Sequence, residues 1–491
     1  MSSQVEPIDN EEDEAWFASA AKVYPMDVNG RFRKIKWAIL FITLGIYYFT
    51  PFIRWDRGPL LPDQAVLVDF ERKRGYFFFL EIWPQEVYYL TGLLILAAVG
   101  LFLMNAIAGR LWCGYLCPQT VWTDLFFKIE SLIEGDRRKR IALDKEPWSA
   151  SKILKKGTKH FLWIMVAWWT GGAWVLYFSD APTLVYDLAT GAAAFSVYLW
   201  IGILTFTTYS LAGHMREQVC VYMCPWPRIQ AALTDEHALN VTYRYDRGEP
   251  RGHLKESKKR TAEGLPAGDC IDCNQCYFAC PTGVDIRKGA QLDCIQCGLC
   301  IDACDSIMTK VGKPTGLIAY DTDDNIERRE KGEEPVYRLI RPRTVIYAAI
   351  ILLIMGAMLY AQLNRSMTGL SVVHDRNPLY VQQNDGSFRN GYSLRLLNKH
   401  NKEQYFTLSV EGMPVGTKLE VVGVSKDGVA AANATKLQLG VDADTTRSVR
   451  ALVFSPSGEA LPASRPMGFK LIDMETGETT LIEDFFRAPG T

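Results

Sequence analysis

Hydrophobic positions in this chain fall into three regimes. Long apolar runs occupy much of residues 37–363, short alternating stretches occupy 364–491, and a polar, cysteine-rich stretch separates the fourth apolar run from the fifth. The five runs (37–53, 88–108, 161–178, 192–212 and 344–363) approach the ~20 apolar residues that a bilayer core requires. Trp and Tyr near their ends match an interfacial aromatic belt, so the pattern predicts five transmembrane helices. The first is short and ends at Pro51.

Charge orients these helices. Arg31, Arg33, Lys34 and Lys36 precede the first, and the loop 109–160 holds eleven Lys and Arg, Arg137, Arg138, Lys139 and Arg140 among them. The loop 179–191 has none, while the loop 54–87 dissents with five, including Arg72, Lys73 and Arg74. Basic loops stay cytoplasmic, which predicts a cytoplasmic N-terminus and cytoplasmic second and fourth loops. Five crossings then carry the C-terminus to the periplasm of a Gram-negative cell. The acidic start (Glu11, Glu12, Asp13, Glu14) lacks the apolar core of a signal peptide.

Beyond the last run the period changes to two, as in 405–410, 418–422 and 450–454, with turns such as Asn384-Asp385-Gly386 and Ser455-Pro456-Ser457-Gly458 between. Half-buried strands at such intervals predict a β-sandwich. The stretch 125–133 before the basic run suits either an amphipathic helix on the inner leaflet or an ordinary solvated loop helix.

The apolar share is 48% of 491 residues, with 13 Trp and 22 Tyr, and the net charge is −1. A near-neutral chain offers no field to recruit nucleic acid. All twelve cysteines fall within motifs, which leaves none for a structural disulfide and suits a reducing compartment.

Eight of them form Cys270-x-x-Cys273-x-x-Cys276-x-x-x-Cys280-Pro281 and Cys294-x-x-Cys297-x-x-Cys300-x-x-x-Cys304. This is the bacterial dicluster ferredoxin spacing: three cysteines wrap one cubane and the fourth ligates the other. Cluster one is therefore expected on Cys270, Cys273, Cys276 and Cys304, and cluster two on Cys294, Cys297, Cys300 and Cys280. Asp305 replaces the second proline and leaves ligation intact. Zinc sites favour paired knuckles with longer spacers.

The remaining four form a duplicated motif, Cys113-Gly-Tyr-Leu-Cys117-Pro118 and Cys220-Val-Tyr-Met-Cys224-Pro225, each after an apolar run and a basic residue. Such an internal repeat suggests two halves packed about a pseudo-axis. A spacing of four predicts each thiol pair on one helical face. Four converging thiols would favour Cu(I) or a further iron–sulfur cluster, with His214, Met215 and Met223 as candidate extra soft ligands. The alternative is two buried pairs that only pack. Haem is disfavoured because His160 and His214 lie only at the edges of the runs. Flavin and nicotinamide sites lack a Gly-x-Gly-x-x-Gly after a strand.

On these motifs, and on the tail segments Asp375-Arg-Asn-Pro-Leu-Tyr380, Phe388-Arg-Asn-Gly-Tyr-Ser-Leu394 and Leu397-Asn-Lys399, the chain resembles the FixG/CcoG (RdxA) family, accessory iron–sulfur membrane proteins of cbb-type cytochrome c oxidase assembly. The resemblance implies a multi-pass protein of the bacterial inner membrane. Its parts would be a cytoplasmic segment 1–36, a helical membrane domain 37–264, an α+β dicluster ferredoxin-like insert 265–310, a linker 311–343, a fifth helix 344–363 and a periplasmic immunoglobulin-like sandwich 364–491. It implies a metalloreductase with two 4Fe-4S clusters that takes electrons from a cytoplasmic donor. Cu(II) would be reduced at Cys113, Cys117, Cys220 and Cys224 for the oxidase copper centre, with oxidase subunits or copper-handling assembly proteins as partners. Two rivals remain open: a quinol-linked electron-transfer subunit of another reductase, and a non-enzymatic assembly scaffold. A homo-oligomer is compatible with the sequence, which leaves the oligomeric state open.

Overall fold

A computed structural model of the chain describes residues 22–59, 61–422, 436–458 and 461–490; the acidic run at 11–14 lies outside them. The chain divides into two compact units after Met358.

The first unit is mainly helical. Helix α1 (Arg31–Phe49) leads into a three-stranded antiparallel sheet, β1 (Val66–Asp69), β2 (Arg74–Phe77) and β3 (Leu80–Ile82). Helices α2 (Tyr88–Ala108), α3 (Leu111–Tyr115), α4 (Pro118–Glu134), α5 (Arg137–Lys145), α6 (Ala150–Val175), α7 (Ala181–Thr190) and α8 (Phe195–Thr208) follow. Two π-helical turns, Tyr209–Met215 and Val219–Met223, then lead to α9 (Trp226–Leu233). The cysteine-rich stretch carries β4 (Asn240–Tyr243), α10 (Tyr245–Gly248), α11 (Leu254–Ala262), α12 (Gln275–Ala279) and α13 (Leu299–Val311). Next come β5 (Ile318–Asp321), α14 (Asp323–Glu330) and α15 (Pro342–Leu363). The segment expected to be a plain linker thus holds β5, which pairs with β4 around the cysteine loops, and α14.

Among the described residues, four helical stretches are long and apolar enough to cross a membrane: 31–52, 84–108, 195–215 and 342–363. Four of the five expected runs overlap them. The fifth, 161–178, lies largely in α6, whose first turns carry Lys152, Lys155, Lys156 and Lys159 and dilute its hydropathy. α6 packs closely on α8, where a Cβ at Gly171 would lie 3.0 Å from the Ile201 carbonyl oxygen. Small residues permit such approach between apolar helices.

The stretch 125–133 belongs to α4, but neither expectation for it describes the result. Phe126 is 1% exposed against Trp163, and its polar face is also covered, with Glu130 at 0%. Glu130 sits among Arg140 (3.3 Å), Lys159 (3.4 Å) and Arg216 (2.9 Å). Burial pushes its carboxyl up, yet the charges of Arg216, Lys159 and Arg140 hold it below its ordinary range.

The second unit continues α15 into an all-antiparallel sandwich. Its strands are β6 (Thr368–His374), β7 (Val381–Gln382), β8 (Phe388–Asn398), β9 (Gln404–Glu411), β10 (Lys418–Val422), β11 (Lys436–Val441), β12 (Thr445–Phe454), β13 (Ser464–Asp473) and β14 (Thr479–Arg487). One sheet runs β10-β12-β8-β6 with β7 on β8, and the other runs β11-β9-β13-β14. Alternate residues of both, among them Tyr392, Leu394, Phe406 and Phe469, are fully buried between the sheets, as period-two patterning requires.

Candidate functional site

The two cysteine loops repeat one backbone shape. Asp272 and Gln296, just before the second cysteine of each run, have φ of 51° and 54°; Asn274 and Gly298, just after it, have 58° and 73°. Left-handed residues alternating with ordinary ones turn successive N–H groups to one side and make an anion-binding concavity. Backbone N–H groups do reach the sulfurs: Val284 N–H donates to Cys280 Sγ at 3.3 Å. N–H groups of Gln296, Leu299 and Tyr277 likewise favour the Cys294, Cys297 and Cys276 thiolates. A helix then starts after each loop and carries the fourth cysteine away.

The eight thiols crowd one another across the two runs. Burial pushes Cys304 up to about 12, and Cys276, Cys273 and Cys270 push the same way. Cys300, raised first by burial, feels Cys297, Cys294 and Cys280, and more weakly Cys276. The last cysteine of each run thus lies near cysteines of the other run. The donor chemistry, buried thiols ringed by N–H groups, fits two 4Fe-4S clusters.

The duplicated motifs also converge. Burial pushes both Cys113 and Cys220 up to about 12; Cys117 and Cys224 push Cys113 further, and Cys117, Cys113 and Cys224 push Cys220. Neither pair lies on one continuous helical face, however. Cys113 sits in the middle of α3, whereas Cys117 (φ −59°, ψ 126°) is extended and Pro118 opens α4. Cys220 sits in a π-helical turn and Cys224 (φ −82°, ψ 121°) is extended before Pro225. Proline cannot continue a helix but starts one well, so each motif is a break between helices. The repeat extends upstream: Gly109 (φ 51°, ψ −123°) and Arg216 (φ 46°, ψ −116°), each four residues before a first cysteine, share one rare conformation.

Four-thiol site and cysteine loop touch directly. Cys113 and Cys220 pack on Ile295, Cys297 and Leu299. Tyr115 donates its hydroxyl to the Cys297 carbonyl at 2.9 Å, and a Cβ on Gly114 would fall 2.8 Å from the Ile295 oxygen. Arg110 N–H donates to Gln296 Oε1 at 2.7 Å, and its guanidinium reaches carbonyls of Leu292, Cys294 and Pro227. Cys113 donates to Gln230 Oε1 at 3.3 Å. Tyr115 and Arg110 belong to the repeat that the sequence shows, at the middle of the motif and just before it, but their contacts with the cysteine loop, and the parts played by Gly114 and Gln230, had no signal in the sequence. His214 faces His160 and Tyr209 rather than the thiols. Among the described residues no three His, Cys, Asp or Glu side chains stand close enough to hold one metal ion. Thiolates on a single ion at ~2.3 Å lie about 4 Å apart.

Known families match these regions. Residues 215–323 match a 4Fe-4S dicluster domain, 90–140 a 4Fe-4S binding domain, and 358–489 an IG-like fold at the C-terminus of FixG. The chain is 45% identical over 497 aligned residues to the nitrogen fixation protein FixG of Rhizobium meliloti, covering 96% of this chain and 93% of that one. It is 50% identical to RdxB of Cereibacter sphaeroides (80% and 83% covered) and 48% to RdxA of the same organism (86% and 89%).

Proposed function

Because the chain belongs to the FixG/RdxA family of iron–sulfur electron-transfer proteins, we propose that it is a membrane metalloreductase that reduces Cu(II) to Cu(I) at Cys113, Cys117, Cys220 and Cys224. The Cu(I) would serve the copper centre of a cbb-type oxidase. Cys270, Cys273, Cys276 and Cys304 hold one 4Fe-4S cluster, and Cys294, Cys297, Cys300 and Cys280 the other; when bound, these supply one-electron transfer from a cytoplasmic donor. The contact of Cys113 and Cys220 with the Ile295–Leu299 loop carries the reading. It brings an exchangeable thiol site against a buried one without intervening solvent. The thiols favour Cu(I) over Cu(II) because thiolate is a soft ligand.

A five-crossing topology supports the arrangement. Loop 53–83 meets the end of α6 at one edge: Gln64 donates to the Leu176 carbonyl at 2.8 Å, and Arg54 pairs with Asp180 at 2.6 Å. The cysteine motifs gather at the other ends of these helices, so α6, ~39 Å long at 1.5 Å per residue, would cross as well. The basic residues that dissent are engaged locally, Arg72 with Asp69 and Arg74 with Glu81. On this topology the N-terminus and cysteine loops are cytoplasmic and the sandwich is periplasmic, in an inner membrane.

The test is Cu(I) production, followed with a Cu(I)-specific chelator, by protein purified anaerobically, reduced with dithionite and then freed of the excess reductant. Rates unchanged after Cys113→Ala with Cys220→Ala would overturn the copper site. One observation favours a second reading: the 4Fe-4S binding match covers Cys113 and Cys117. About eight iron per chain fits two clusters and about twelve fits a third on the four thiols.

A further inference from the structure

Between α6 and α8 lies an apolar cleft of about 430 Å³, lined by Ile164, Trp168, Tyr198, Gly202, Phe206 and Tyr209 among others. It belongs to the apolar part of the first unit, so its occupant would arrive from the lipid phase. Its lining is flat and aromatic on several sides, and it has one polar end. There the Tyr209 hydroxyl shares a hydrogen bond of 2.9 Å with His160 Nδ1, and the His214 ring stacks on His160. Tyr209 opens a π-helical turn, a rare element concentrated at functional sites.

Behind the polar end runs a ladder of ionisable groups. Lys159, the neighbour of His160, pairs with Glu134 at 2.9 Å and with Glu130 at 3.4 Å. Lys156 joins Glu134 at 3.0 Å to Asp144 at 2.5 Å, and Asp144 meets Lys22, which is 45% exposed, at 2.7 Å. A lipid tail needs neither the hydroxyl–imidazole pair nor the ladder. A quinone needs both: a ring slot with a hydrogen-bond partner for its oxygens, and an exit for protons.

We propose that this cleft binds a membrane quinol, a second electron source for the four-thiol site beside the cytoplasmic donor. One quinol becomes quinone by giving up two electrons and two protons; two Cu(II) take one electron each, and the protons leave through the His160 end. The acceptor rests on the copper-reducing reading, while the binding site does not.

The test uses the full chain in detergent, with decylubiquinone as probe and quenching of tryptophan fluorescence as readout. A Cβ at Gly202 or at Gly100 meets nothing within 4 Å, so Gly202→Leu fills the cleft without a clash and Gly100→Leu is its control. Wild type and G100L should bind alike, and G202L at least tenfold more weakly. Tyr209→Phe, which keeps the ring, should lose about tenfold, the worth of one hydrogen bond. Equal binding by G202L and G100L would overturn the proposal, as would equal competition by a saturated hydrocarbon of the same chain length. Dithionite-driven copper reduction is measured on the same samples. If it fails while decylubiquinone still binds, only the copper reading falls.

Discussion

The eight thiols of the cysteine loops and the four at the helix breaks meet at one contact, yet they are built in opposite ways. In the loops Cys270, Cys276, Cys297 and Cys304 are at most 8% exposed and the other four are half-buried, while left-handed residues aim N–H groups at the sulfurs. At the helix breaks Cys224 is exposed and the other three are half-buried. A closed set of ligands suits a group that stays, and an open one suits an ion that comes and goes, as structural and catalytic metal sites differ elsewhere. The sharpest way to break this comparison is Cys297→Ala against Cys224→Ala. The first should halve the iron and acid-labile sulfide content and abolish copper reduction; the second should leave about eight iron and lose most of the copper reduction. Equal iron loss in both would make the four-thiol site a third resident cluster.

How the helix-break site is held differs too. Arg216 takes a backbone conformation that Gly109 adopts at the equivalent place in the first motif, and a non-glycine residue there stores about 1–3 kcal/mol. Glu130 at 2.9 Å, the Gly213 carbonyl at 2.7 Å and the Phe127 ring at 4.7 Å hold it. Removing Glu130 leaves Arg140, Lys159 and Arg216 buried together, so Glu130→Ala should cost roughly 3–5 kcal/mol. A thermal melt with the clusters retained measures it. The pH dependence has a fixed sign. The native carboxyl lies below its ordinary range, so its contribution is complete above the unfolded value of about 4.3 and is lost as pH falls through the native one. Wild type should therefore lose stability in acid over a window that Glu130→Gln lacks.

Much of this was legible beforehand, for reasons that particular residues explain. Ligand spacing is local, so Cys270–Cys304 revealed both cysteine loops, and the period-two stretches after residue 364 revealed the sandwich. Other features depend on partners far away in sequence. Asp302 caps α1 by accepting from Phe32 and Arg33 N–H (3.2 and 2.7 Å), and Gly30 leaves room for it. Nothing near residue 30 announces a cap 270 residues distant. The single-face expectation for Cys113 and Cys117 failed because Pro118 begins a helix instead of bending one. α6 fell short as an apolar helix because its lysines serve the buried carboxylates of α4.

A smaller effect tests whether the contact between the two sites matters. Gly114 approaches the Ile295 carbonyl so closely that any Cβ must displace one of them. Gly114→Ala should leave the iron content unchanged, since no ligand is touched. It should slow copper reduction by about tenfold or more, the scale on which small misplacements act. An unchanged rate would separate the two sites functionally.

The smallest expected effect concerns one hydrogen bond on the open side of the comparison. Gln230 is 1% exposed and accepts from the Cys113 thiol at 3.3 Å, a bond that only the neutral thiol can make. In the cysteine loops the Thr282 hydroxyl and backbone N–H groups meet the sulfurs, and among the described residues no side-chain amide does so. Gln230→Leu removes the bond and keeps the volume, at about 1 kcal/mol. Because a thiol must ionise to bind a soft ion, losing a bond of the neutral form should appear as roughly fivefold tighter Cu(I) retention in chelator competition. The cluster spectra should not move. If they moved while Cu(I) retention stayed constant, Gln230 would belong to the closed set, and the boundary between resident and exchangeable thiols would lie elsewhere.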